Sequence, residues 1–200
     1  MESFLGLELK YFQLSWSIIS NPSAFFEQCN ADEEELLRYM TFTIRVGILL
    51  RLLVSMVLLV FIPRSSAAHT LAISLLFIQL LVYILARLGA IVSLWLGSWL
   101  LNLFAQLAGQ SDRLAASRIV AFSSVVSLIP DSGTMSAMWS VIVGLILETI
   151  GVHKQYRFRV LRAILVVLGP PLVVIVLLLL LKLIVYPAGL GPFVSPPMHP

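Results

Sequence analysis

Charge is scarce in this chain. Only 12% of the 200 residues are Asp, Glu, Lys or Arg and 60% are hydrophobic, whereas soluble domains carry about 25% charged residues. A surface with so few charges is not solvated by water alone. The mean hydropathy of +1.01 points the same way and makes the bilayer part of the solvent. Cysteine occurs once, as Cys29, which excludes an internal disulfide. It stands in a polar connector, either as a reactive thiol or as an ordinary free one. The histidines His69, His153 and His199 are far apart, and no two have metal-ligand spacing. A phosphate-binding glycine loop and a nucleophile elbow are both missing. No catalytic, cofactor or metal site is therefore expected, and the chain is not expected to be an enzyme. The first residues set Glu2 and Glu8 against Lys10, which does not match the basic start of a cleavable signal peptide.

What is present is a series of apolar helical segments. Residues 3–20 read as an amphipathic helix, with Leu5, Phe12, Trp16 and Ile19 on one face. Glu8, Lys10, Gln13 and Ser15 make it too polar to span, so it either lies in the membrane interface or packs on the bundle. Asn21-Pro22-Ser23-Ala24-Phe25-Phe26 reads as a cap followed by a helix start, because Asn caps well and Pro suits the first helical position. Asn30-Ala31-Asp32-Glu33 opens a second helix, and the acids at 32–35 favour its dipole.

The first span is predicted from about Leu37 to Ile62, ended by Pro63. Residues 68–108 are apolar throughout. That is roughly 60 Å of helix, about twice a bilayer core. The segment either turns back near Arg87-Leu88-Gly89 or continues as one long helix. A polar break is expected from Gly109 to Ser117, then a short span over 118–130 ending at Pro130 and a turn at Asp131-Ser132-Gly133. A further span covers 134–151, a basic connector 152–162, and a last helix that Gly169-Pro170-Pro171 interrupts or restarts before Tyr186. This gives three parts: 1–36, the interfacial helix and acidic connector; 37–186, the transmembrane bundle; and 187–200, a disordered tail rich in Pro and Gly.

Lys154, Arg157, Arg159 and Arg162 fill the connector without an acid, and the tail holds no Lys or Arg. The positive-inside rule then puts the connector in the cytoplasm and the C-terminus outside. Arg113 and Arg118, two spans earlier, agree. These four connector cations suit anionic lipid head groups better than nucleic acid, each contributing about 1 kcal/mol near the surface.

The pattern over residues 20–185 resembles the Yip family of polytopic membrane proteins, first known as Rab GTPase partners. The resemblance rests on Asn21-Pro22-Ser23 with Phe25-Phe26, the Gly109 break, Ala121-Phe122-Ser123 leading to Pro130, Trp139, Gly144-Leu145 with Glu148 and Gly151, and Arg162-Ala163. It implies an all-α transmembrane bundle of about five spans with the N-terminus in the cytoplasm, hence one long second helix. The chain lacks the long N-terminal region of eukaryotic members. It is therefore similar to a bacterial member of an inner membrane, where the Rab role does not carry over.

Small residues let helices approach closely in lipid. Stripes at spacing four are Thr43, Gly47 and Ser55, with Arg51 in the missing position; Gly89, Ser93 and Gly97; and Ser136, Ser140 and Gly144, continued by Glu148. Arg51 is about 18 Å from the outer end of its span and Glu148 about 22 Å from the same side. Since a charge at membrane depth is costly, the two are expected to form an interhelical ion pair, or else to snorkel. Arg87, Ser98, Asn102 and Gln106 form a polar face opposite Gly89, Ser93 and Gly97, which would make this helix central. That face is a groove for a lipid head group, solute or helix, or ordinary interhelical hydrogen bonding. The expected function is a membrane scaffold or adaptor working through lipids and other membrane proteins, or further copies of itself. The alternative is a transporter, channel or accessory subunit with a polar path along Arg51, Arg87 and Glu148.

Overall fold

The structure, a computed structural model of the chain, describes residues 4–61, 67–129 and 134–185. Pro63, Pro130, the Asp131-Ser132-Gly133 turn, Tyr186 and the tail 187–200 lie outside the described residues. Every regular element among them is helical: α1 (Phe4–Ser20), α2 (Pro22–Gln28), α3 (Glu33–Phe61), α4 (Ala67–Ile84), α5 (Ala86–Leu107), α6 (Arg113–Ser123) with a 3-10 extension (Ser124–Leu128), α7 (Thr134–Gln155) and α8 (Val160–Val185).

Short polar side chains start three of them. The Asn21 side chain accepts from the Ala24 N–H at 3.2 Å, Asp32 from Glu35 at 2.8 Å, and Asp112 from Ala115 at 3.0 Å. Each satisfies a backbone donor that the first turn leaves without an intrahelical acceptor. Pro22 occupies the first position of α2, where no N–H is required.

Three helices are long and apolar enough to cross a membrane: α3, α5 and the Val160–Lys182 part of α8. The Ile73–Ile84 part of α4 is a shorter apolar helix. Neither α6 with its 3-10 extension nor α7 meets that measure over the described residues. The chain does not turn back at Arg87-Leu88-Gly89. Leu85 N–H donates to the Leu81 carbonyl and Gly89 N–H to that of Leu85, so the helical ladder runs through the break. At φ −85° and ψ 3°, Leu85 marks a local kink, and α4 and α5 both pack along α3.

The centre of the bundle is α6, which packs against α3, α5 and α7. Ala115, Ala116, Ser117, Ile119, Ala121, Phe122 and Ser123 are all buried. This corrects one expectation: residues 113–117 are the first turns of the central helix, not a polar break. α5 packs against α3, α6 and α8, and its Trp95 and Trp99 are more than half exposed. Small side chains explain why α6 is enclosed, because alanines and serines let three helices close on one. A second correction concerns α8, which continues through Pro170 and Pro171. Proline removes two helical donors there. The buried run Ala163, Val166, Val167 holds the helix in place, and Gly169 brings it against Phe104, whose ring would lie 2.3 Å from any Cβ at that position.

Packed on α3, α1 buries Tyr11, Ser15 and Ile18. Its apolar stripe is left uncovered: Leu9, Phe12, Trp16 and Ile19 are exposed, Trp16 by 71%. Beyond Pro171, every residue of α8 from Leu172 to Leu181 is exposed as well.

Candidate functional site

Two short segments, α2 and the α7–α8 connector, come together at the end of the bundle where α6 begins. Phe25 of α2 meets Phe122 of α6 edge-on, with centroids 4.8 Å apart. Phe122 also contacts Tyr39 of α3 at 5.1 Å, and Tyr39 contacts Tyr11 of α1 at 5.9 Å. The next residue, Phe26, is fully buried, its ring 3.2 Å from where a Cβ on Gly151 would sit. Ile119 approaches the same position to 3.0 Å. Residue 151 must therefore be small for α2 to seat on α6 and α7.

Polar contacts tie the same parts together. Lys154 Nζ lies 2.5 Å from Glu27 Oε1, and the Gln155 amide donates to the Phe26 carbonyl. The hydrogen bond and charge of Lys154 hold the Glu27 carboxyl below the usual glutamate range. Arg118 Nε donates to the Ala31 carbonyl at 3.1 Å, fixing the α2–α3 link to α6.

In the α7–α8 connector, side chains alternate. Tyr156 and Phe158 point inward, their rings stacked at 5.6 Å. The Tyr156 hydroxyl donates to the Asp112 carbonyl at 2.6 Å, and His153 Nδ1 lies 2.5 Å from the Phe158 carbonyl oxygen. Arg157 and Arg159 point out and are exposed. Arg157 takes a left-handed φ of 53°, a conformation uncommon for a side chain other than glycine. Arg162 sits over the Phe158 ring at 5.7 Å and reaches the Ala108 carbonyl at 3.5 Å. Of the four connector cations, Lys154 is engaged by Glu27 and Arg162 by Phe158 and the Ala108 carbonyl, while Arg157 and Arg159 face outward.

Beside α2, a cavity of about 580 Å³ lies between α1, α3 and α6. Phe25 and Phe122 line it together with Asn21 and Cys29. Burial raises the Cys29 thiol above its ordinary value, so it stays protonated near neutral pH. A protonated thiol is a poor nucleophile.

The residues behind the sequence resemblance, Phe25, Phe26, Phe122 and Gly151, thus converge on one contact. The Yip1 domain model matches residues 16–181 of the chain. This protein belongs to the Yip family. No curated protein matches its sequence, and no solved structure does so either. In this Yip-family chain the matched region includes the last turn of α1 and the whole of α2, so the α2 contact is part of the family domain.

Other sequence expectations fare differently. Arg51 and Glu148 do not meet. Among the described residues the ion pairs are Lys10–Glu35, Arg38–Glu34 and Lys154–Glu27. The 3-10 segment lies between their helices: a Cβ on Gly47 would strike the Ser127 carbonyl oxygen at 2.1 Å, and one on Gly144 would touch Val126 at 3.7 Å. Arg51 Nε is buried with no hydrogen-bond partner among the described residues.

The α3 stripe continues at Ser55, which accepts from Gln79 of α4 at 3.4 Å. On α5 only Gly97 packs, against Val120, while Gly89 and Ser93 are exposed and nothing lies within 4 Å of a Cβ on Gly89. Ser140 is half-buried, and the side chain of Ser136 lies outside the described residues. Three residues of the polar face of α5 make hydrogen bonds. Asn102 accepts from the Asp112 N–H at 3.1 Å, Gln106 donates to Ser111 at 3.1 Å, and Ser98 bonds its own helix at the Trp95 carbonyl. These side chains hold the α5–α6 turn, while Arg87 faces a separate cavity against α3. The sequence reading missed α6 as the centre, although the Ala115-Ala116-Ser117 run was a visible packing signal.

Proposed function

We propose that this Yip-family protein is a membrane scaffold or adaptor, acting in membrane organisation or traffic through contacts with lipids and other membrane proteins. The observation that carries the reading is the α7–α8 connector. Its aromatic pair is anchored to the bundle, and it presents Arg157 and Arg159 outward, with Arg162 exposed beside Phe158. An exposed basic patch on an anchored connector suits recognition of an anionic surface rather than conversion of a substrate. The proposal includes about five spans, the connector and N-terminus in the cytoplasm, the C-terminus outside, and α1 lying in the interface on its exposed face. The exposed indole of Trp16, apolar with one polar N–H, supports that placement.

The transport reading needed Arg51, Arg87 and Glu148 along one path. Arg51 has a buried Nε without a hydrogen-bond partner among the described residues, Arg87 lines a cavity that includes neither Arg51 nor Glu148, and the 3-10 segment packs between α3 and α7. Reciprocal tagging and co-purification in mild detergent test the scaffold. A stoichiometric membrane partner that is lost from the Arg157→Glu, Arg159→Glu variant supports it. A clean monomer from both preparations overturns it.

A further inference from the structure

Where α3 passes the kink between α4 and α5, it leaves a cavity of about 470 Å³ that none of the contacts above uses. Two guanidinium groups face it from different elements, Arg45 from α3 and Arg87 from α5. Both residues are exposed, and neither has an ion pair or hydrogen bond among the described residues. Arg45 is held over the Tyr83 ring at 5.8 Å, which fixes its direction without neutralising it. A third arginine at the rim, Arg38, is already taken by Glu34 at 2.5 Å. Leu37, Phe42, Val46 and Leu49 of α3 form an apolar wall, and Tyr11, Glu34 and Thr41 also line the cavity.

We infer that this cavity is a binding site for the phosphate head group of an anionic phospholipid, gripped by Arg45 and Arg87, with its acyl chains along the exposed leucines of α3. Two unneutralised guanidinium groups opening on one cavity form an anion site, and the guanidinium fork matches phosphate oxygens. The apolar wall separates a lipid from a free phosphate. It continues along α3 as Leu49, Leu50 and Leu53, which are all exposed, and along the adjoining helices as Ile84 and Leu88. A diacyl chain covers such a surface, and a small hydrophilic anion does not. The Leu85 kink has a role in this arrangement, since it lies between Tyr83 and Arg87 and turns both towards α3. The inference rests on membrane location alone and not on the scaffold reading.

Native mass spectrometry of the full chain, released from detergent with added phosphatidylglycerol or phosphatidylcholine of equal chain length, tests it. One phosphatidylglycerol is expected to be retained in preference to phosphatidylcholine. The Arg45→Gln, Arg87→Gln pair should weaken it by about tenfold or more, since each charge-assisted contact is strong. Arg157→Gln, Arg159→Gln should leave this high-affinity copy in place, so failure here is distinct from failure of the scaffold. Val46→Trp, which fills the apolar wall but keeps both arginines, should weaken the lipid as well. Unchanged thermal unfolding of the variants confirms that they fold. Equal retention of both lipids, or binding indifferent to Arg45 and Arg87, overturns the inference. So does displacement by inorganic phosphate or glycerol phosphate at concentrations similar to the lipid, which would mark a site for a soluble anion.

Discussion

Phe26 of α2 lies directly against Gly151 of α7, its ring 3.2 Å from the place a Cβ would take. A seven-residue helix has too little length to be stable alone. Its position is held by this one buried ring, by Phe25 on Phe122, and by the contacts of Lys154 and Gln155. Phe26→Ala should therefore lower stability by about 3–5 kcal/mol, the usual cost of emptying a buried aromatic site. Gly151→Leu should lower it by about 1–3 kcal/mol through overpacking against Ile119 and Phe26. Thermal unfolding in detergent checks both, and hydrogen exchange should show α2 released first.

Gly47 and Gly89 sit on stripes that look alike in sequence, yet they should respond in opposite ways. A methyl at 47 would meet the Ser127 backbone oxygen at 2.1 Å, so backbone must move and Gly47→Ala should destabilise by roughly 1–3 kcal/mol. A methyl at 89 meets nothing within 4 Å. Gly89→Ala should be neutral or stabilise by about 0.5–1 kcal/mol, the helix-propensity difference. Unfolding midpoints of the two variants under one condition decide the matter.

Arg51 and Glu148 form no ion pair among the described residues, and the 3-10 segment packs between their helices, so their substitutions should act independently. In a double-mutant cycle, Arg51→Ala and Glu148→Ala should add to within about 0.5 kcal/mol. A larger coupling energy, read from the same unfolding assay, would show that the two groups interact.

Cys29 should label slowly with maleimide at neutral pH, because burial keeps its thiol protonated. Phe26→Ala should speed labelling by opening the α2 contact next to it. Mass measurement over a time course reads both rates.

Much of the helix framework was legible because its signals are local. Asn21, Asp32 and Asp112 cap helices through their own side chains, and apolar runs identify α3, α5 and α8. What the sequence did not reveal were matters decided between helices. The stripe at Gly47 looked like a seam between two spans, whereas it accepts a single turn of 3-10 helix, and α3 and α7 stand apart as a result. Ala115, Ala116 and Ser117 lie among Asp112, Arg113 and Arg118, so their polarity suggested a loop, while their size suits a helix enclosed on all sides. The stripe of Phe12, Trp16 and Ile19 on α1 was visible, but periodicity alone could not say whether lipid or protein covers it. At Gly169-Pro170-Pro171 the local preference for a break is overridden by packing on Phe104.

The account depends most on hydrocarbon around the helices that the bundle leaves bare. Spin labels placed in turn from Leu172 to Leu181 of α8, in a Cys29→Ser background and a reconstituted bilayer, measure this directly, with labels at Arg157 and Arg159 for comparison. The account predicts high collision with oxygen and little with a water-soluble relaxant along the whole α8 segment, and the reverse at the two arginines. Free access of the water-soluble relaxant to the α8 segment would contradict it.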